Sequence, residues 1–247
     1  MPRQARRKSN TGIYHVMMRG VNQQPIFEDA EDNRKLIEII KKYKAISEYQ
    51  VFAYCLMGNH FHLLLKIGKD DIGQIVKRIA GSYVYWYNLK YQRIGHLFQE
   101  RFNSEPIEDD EYFLSVLRYI HQNPVKIGIK VGDYKYSSYN DYVKMDNRLV
   151  DIDFALSMMD TEQFIRFNNK ENDDECLSYD KKDFRISDVD AKVIIENVSK
   201  SKSVTEFQSL DKKQRDSCIK QFKEAGMSIR QISRLTGIGK GVVARIP

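Results

Sequence analysis

His60 and His62 stand two apart in the run Gly58-Asn59-His60-Phe61-His62-Leu63-Leu64-Leu65. On a β-strand, positions i and i+2 project to one face, so both imidazoles point one way and Phe61 the other. Two neutral imidazoles on one face make half of a divalent-cation site. Two satisfied strand histidines are the plainer alternative. Tyr119 and Asn123 lie four apart in a helical pattern, which stacks a phenol and an amide oxygen one above the other. Together these residue types suit phosphoryl transfer. A cation held by two histidines and an amide oxygen polarises a phosphate, and the phenolic oxygen attacks phosphorus to give a phosphotyrosine. Read alone, Tyr119 is one of 15 tyrosines and fits an amphipathic surface position.

The flanking patterns predict the elements that position these groups. Ile13 to Arg19 reads as a strand stopped at Gly20, and about Asp29 to Ser47 has apolar residues at helical spacing. Val51–Met57 and His60–Ile67 read as a hairpin turned by Gly58-Asn59. A second helix is expected from about Asp71 to Lys90, then a strand-like stretch from Leu97 to Ile107. A third helix starts at Asp109/Asp110, whose acids suit a helix N-terminus, and ends before Pro124. Its core stripe is Phe113, Val116, Leu117 and Ile120, with Tyr119 off that stripe. Strand, helix, strand, strand, helix, strand is the ferredoxin-like order, here with an added helix. The expected fold is therefore an α+β domain over residues 1–145.

Charge divides the rest. Residues 1–145 carry 22 Lys/Arg against 16 Asp/Glu, residues 146–200 carry 8 against 14, and residues 201–247 carry 10 against 4. Two basic blocks around an acidic one suggest two surfaces that meet a polyanion. Residues 146–200 read as an acidic linker with short helices. Residues 201–247 read as a small all-α, helix-turn-helix-like extension: a helix from Asp211 to Ala225, a capping box at Ser228-Ile229-Arg230-Gln231, and a Gly237-Ile238-Gly239 turn. Arg230, Arg234 and Lys240 are its candidate DNA contacts. Arg3, Arg6, Arg7 and Lys8 form a basic arm suited to a phosphate backbone. Tyr83, Tyr85, Trp86, Tyr87 and Tyr91 offer either base-stacking surface or helix core. Cys55, Cys176 and Cys218 are scattered, as in a reducing compartment. No apolar run reaches the roughly 18 residues of a membrane span, and the N-terminus lacks a signal pattern. A cytoplasmic protein without a membrane partner is expected.

Three segments follow one another at a shared spacing: Gly58 to Leu65, Gly95-His96-Leu97-Phe98-Gln99-Glu100-Arg101-Phe102, and Arg118-Tyr119-Ile120-His121-Gln122-Asn123-Pro124-Val125. With Tyr14-His15-Val16, Arg19-Gly20 and Ile26-Phe27, they resemble the single-tyrosine HUH transposases, in particular the REP-associated tyrosine transposases. The resemblance covers residues 10 to about 145. It implies a HUH-endonuclease core, with His60 and His62 as ligands of Mg²⁺ or Mn²⁺, Asn123 completing the metal site and Tyr119 as nucleophile. It implies cleavage and rejoining of single-stranded DNA near a hairpin through a 5′-phosphotyrosine, with a homodimer left open. Arg19, Arg101 and Arg118 fall inside the matched motifs as DNA-contact candidates. Conserving the phosphodiester as a protein ester removes the need for a nucleotide cofactor, and no G-x-x-x-x-G-K-[ST] loop occurs. His15 and His121 also fall in matched segments, without an assigned role. Two rival readings are a non-catalytic DNA-binding regulator using the C-terminal helices and a metal-dependent phosphodiesterase that uses water.

Overall fold

A computed structural model describes residues 7–171, 174, 176–177, 186 and 188–246. Four strands, β1 (Ile13–Arg19), β2 (Gln50–Met57), β3 (His60–Lys66) and β4 (Asn103–Ile107), form one antiparallel sheet in the order β2-β3-β1-β4. Helices α1 (Ala30–Ser47) and α2 (Ile72–Lys90) are the crossovers of the ferredoxin-like pattern. The added helix α3 (Asp110–His121) packs against β2 and β3.

Side-chain contacts separate the two faces of the sheet. Phe61 meets Phe98, which meets Tyr83 of α2, so this face belongs to the helix pair. His62 meets Tyr119 of α3 on the opposite face. Covered on both sides, β1 is buried along its whole length, which explains its apolar sequence.

Helix starts follow from local chemistry. Asp29 accepts from Glu31 N and Asp32 N, and the Asp32 carboxylate reaches back to Asp29 N, a reciprocal box. Asp71 caps α2 and Asp109 caps α3 through Gln74 N and Tyr112 N. The strand-like stretch expected from Leu97 is shorter than its pattern. Residues before Asn103 contribute a single bridge, Gly20 to Phe98, because β1 has already ended at Arg19. Pro106 is tolerated in β4 because that strand is an edge. The opposite edge, β2, is covered: Leu56 N donates to Tyr136 O, and Ser138 N donates to Tyr54 O.

Beyond the sheet, α4 (Tyr139–Val143), α5 (Asp153–Leu156) and α6 (Thr161–Asn169) cover the outer side of α3. Phe164 stacks on Tyr142 at 4.5 Å, and both rings contact His121. Then come α7 (Asp188–Ser199), α8 (Val204–Gln208), α9 (Lys212–Glu224), α10 (Ile229–Thr236) and α11 (Lys240–Arg245). The turn between α10 and α11 begins at Gly237, whose φ of 70° suits a residue without Cβ. Ser228 caps α10 through Gln231 N, but the Gln231 side chain leaves the box to bind Ile186 O and Asp188. Among the described residues no helix is long and apolar enough to cross a membrane.

Candidate active site

β3 delivers His60 and His62 to the α3 side of the sheet, with ring centroids 5.1 Å apart. The turn that precedes them is anchored from several directions. Gly58 O accepts from Ile26 N, Asn59 O accepts from Gly20 N, and Gly58 N donates to the buried Asp190 of α7 at 2.9 Å. Neighbouring β1 adds His15 and Arg19 on the same face, Arg19 pairing in register with His60. His60 Nδ1 lies 2.7 Å from Asn59 Oδ1, and His62 Nδ1 lies 2.9 Å from His15 Nε2.

All three histidines are buried, and that burial sets their charge. Desolvation, then the Lys126 ammonium, pushes His15 down to about 3. Desolvation, then Lys126 and Arg19, does the same to His60, also about 3. His62 is lowered well below its ordinary value by desolvation, then by His15, His60 and Lys126. At neutral pH the rings are uncharged, the form that ligates a metal.

Helix α3 delivers Tyr119. Its ring stands edge-on to His62 at 5.8 Å and to His15 at 6.0 Å, and the residue is only 7% exposed. The surface reading of Tyr119 is therefore wrong: α3 is buried on its sheet side and again under α4 and α6, so a position off the core stripe is still enclosed. Asn123 does not continue the helix, because Pro124 ends it; it opens a 3₁₀ turn, Asn123–Ile127. The Asn123 amide N–H donates to Tyr119 O at 3.0 Å, closing the helix end and turning Oδ1 away from it. Lys126 Nζ takes up that oxygen at 3.3 Å and lies 3.9 Å from the Tyr119 ring centroid.

One cluster thus gathers His60, His62, Tyr119 and Asn123, with His15, Arg19 and Lys126 added. His15 and Lys126 were missed as site residues. His15 becomes visible only through the β1–β3 register, and Lys126 only through the turn that folds it back over Tyr119. Among the described residues, no three His, Cys, Asp or Glu side chains are grouped to hold a metal. For a cation seated at the two imidazoles, the Asn123 amide oxygen would be a further donor of a type outside that set. That oxygen already faces a cation, the Lys126 ammonium, whose charge also acts on His60 and His62. The donor set suits a divalent ion bound by nitrogen and amide oxygen.

The other candidate residues are dispersed. Arg101 is exposed ahead of β4. Arg118 forms a two-pronged pair with Asp174, each bond 2.7 Å, and stacks on Phe167. Arg7 and Lys8 are exposed, whereas Arg3 and Arg6 lie outside the described residues. Arg230 and Lys240 are exposed on α10 and α11, and Arg234 pairs with Asp188. Of the α2 aromatics, Tyr83 and Tyr87 are core, Tyr91 bonds to Asp32, and Tyr85 is open at 75% exposure.

Residues 8–123 match the family model of IS200-like transposases, a span that runs from β1 through Tyr119 and ends on Asn123. Over this span the chain is similar to that family. A Haemophilus influenzae protein named as a REP-associated tyrosine transposase is 29% identical over 126 residues, covering 44% of this chain and 71% of that protein. The solved structure of a REP-associated tyrosine transposase bound to a REP hairpin superposes with a TM-score of 0.52 at 21% identity. It covers 62% of this chain and 90% of that one. The four-stranded domain therefore shares its fold with that structure, and Lys126 and the C-terminal helices lie beyond the family match.

Proposed function

We propose that the chain is a metal-dependent DNA strand transferase that cuts and rejoins hairpin-bearing single-stranded DNA through a phosphotyrosine on Tyr119. The observation that carries this reading is the convergence of Tyr119 with His60 and His62, from an added helix and a central strand, over one face of the sheet. The solved relative was bound to a REP hairpin, and a hairpin of that kind is the substrate class we extend to this chain.

In this mechanism Tyr119 Oη forms a bond to phosphorus and the P–O3′ bond breaks. The phenol proton passes to solvent, and the departing 3′ oxygen ends as a hydroxyl. The 5′ phosphate stays on the protein. Attack of a 3′-hydroxyl on this ester reverses the step and releases Tyr119, so the phosphodiester energy is conserved and no nucleotide cofactor is needed. His60, His62 and Asn123 would hold Mg²⁺ or Mn²⁺. When bound, such an ion withdraws charge from the phosphoryl oxygens. The buried rings of His62 and His15 fix the Tyr119 ring and restrict water around it. Lys126 brings positive charge to the same space, which suits a phosphate whose negative charge grows during attack. Arg7, Lys8, Arg19 and Arg101 extend a basic path for the strand. Arg230, Arg234 and Lys240 form a second contact surface on the helix-turn-helix-like extension.

The test is cleavage of a labelled hairpin oligonucleotide with Mn²⁺ or Mg²⁺, resolved on a denaturing gel. Cutting should disappear with a chelator and in His60→Ala and His62→Ala. Cutting that persists in both variants overturns the metal reading.

A further inference from the structure

His15 lies within hydrogen-bonding distance of one histidine of the pair, and the mechanism above gives it no chemical step. We propose that His15 is a positioning residue which, directed by Glu105, holds His62 as its Nδ1–H tautomer and so keeps His62 Nε2 as the lone-pair nitrogen. The value of that tautomer for cation binding rests on the reading given under Proposed function.

Strand register brings the three groups together. His15 of β1 stands directly opposite Glu105 of β4, while Met17, two residues on, stands opposite His62 of β3. The three side chains therefore form a diagonal across three strands. His62 Nδ1 and His15 Nε2 are 2.9 Å apart, and one proton lies between them. A neutral imidazole carries one N–H, so the owner of that proton decides which His62 nitrogen is left as an acceptor. If His15 donates, His62 becomes Nε2–H and cannot ligate through that atom. If His62 donates, its Nε2 is open.

The far end of His15 decides between them. His15 Nδ1 is fully buried, has no hydrogen-bond partner among the described residues, and lies 3.9 Å from Glu105 Oε2. An N–H at this position faces a carboxylate oxygen, and a lone pair would face it with like charge. Glu105 is itself held as an acceptor by Leu177 N at 3.3 Å and by the Tyr112 hydroxyl. The proton therefore sits on His15 Nδ1, its Nε2 accepts, and His62 Nδ1 donates. Asn59 sets the same tautomer on His60 from outside the chain of contacts. Its Nδ2 points to Gln23 O, which turns Oδ1 toward His60 Nδ1. His62 then presents Nε2, as outer partners of metal-bound histidines commonly arrange.

Long-range ¹H–¹⁵N correlation spectra of the metal-free, ¹⁵N-histidine-labelled protein report the tautomers, with Mn²⁺ titration as a second readout. Wild type should show His62 as Nδ1–H. His15→Leu should shift it toward Nε2–H and weaken Mn²⁺ binding about 10- to 100-fold, whereas His15→Gln, whose amide oxygen can accept, should restore both. Glu105→Leu, at a partly exposed position, should mix the tautomers of both rings and serves where His15→Leu fails to fold. His62 found as Nε2–H in wild type, or tautomer and Mn²⁺ affinity both unchanged in His15→Leu and Glu105→Leu, overturns the proposal. Wild-type Mn²⁺ binding insensitive to His60→Ala would overturn the cation reading instead and leave the tautomer result standing.

Discussion

At the residue scale, Asn123 performs two tasks with one amide. Its nitrogen closes α3 on Tyr119 O, and its oxygen faces the Lys126 ammonium. Asn123→Ala removes a buried hydrogen bond of about 1 kcal/mol, so Tm should fall by about 2–4 °C while Mn²⁺ binding weakens. An unchanged Tm with full Mn²⁺ affinity would separate Asn123 from both tasks. Buried histidines also predict the acid side of stability. His15 and His60 sit near 3 and His121, between Asn168 and Ser138, near 4, all below their unfolded value through burial. Below about pH 6.5 the unfolded chain takes protons that the folded chain does not. Stability is therefore complete above that pH and is lost as pH falls toward 4. Asp141, pushed up to about 6 by burial, and Glu28, also raised by burial, oppose this. Denaturant midpoints should drop between pH 7 and pH 5; a flat or rising profile would contradict the neutral, buried assignment.

At the element scale, α3 is a helix held from two sides, and its outer support is aromatic. Phe164 is fully buried and stacks on Tyr142 against His121. Phe164→Ala should cost about 3–5 kcal/mol, read by denaturant melts, and should loosen the end of α3 that carries Tyr119. A loss below about 1 kcal/mol would mean that α6 does not support the helix. How far such features can be read from sequence depends on how local they are. The acids at Asp29, Asp71 and Asp109 mark helix starts because caps are made within four residues, and the Gly58-Asn59 hairpin is equally local. His60 and His62 declare a shared face by period alone. His15 does not, since its partner is 47 residues away and only strand register joins them. Leu97, Phe98 and Phe102 mimic a strand because they bury side chains singly against the core, while the backbone has little left to pair with. The cover over β2 likewise comes from a distant Tyr-rich loop, with Ser138 bonding Tyr54 across 84 residues.

At the scale of the whole molecule, the C-terminal helices are tied to the four-stranded domain rather than hung from it. The buried Asp190 of α7 accepts from Gly58 N in the hairpin before His60, and α7 in turn packs on α9 and α10. The basic end of the chain is thus linked through α7 to the hairpin that precedes His60. Not all of its charge is open to DNA: Arg234 is spent partly on Asp188, while Arg230 and Lys240 are exposed. Arg230→Glu with Lys240→Glu should weaken hairpin binding and flatten its salt dependence by about 0.7–0.9 for each phosphate no longer neutralised. Unaltered affinity and slope would remove α10 and α11 from the interface.

In the proposed mechanism Tyr119, not water, attacks the phosphodiester. A hairpin-bearing single-stranded oligonucleotide, labelled at either end and incubated with Mn²⁺, tests it on a denaturing protein gel. A band shifted by the DNA downstream of the cut, absent in Tyr119→Phe although that variant still binds the hairpin, is the predicted result. Cut DNA released without a protein adduct, or an adduct that survives Tyr119→Phe, would contradict it.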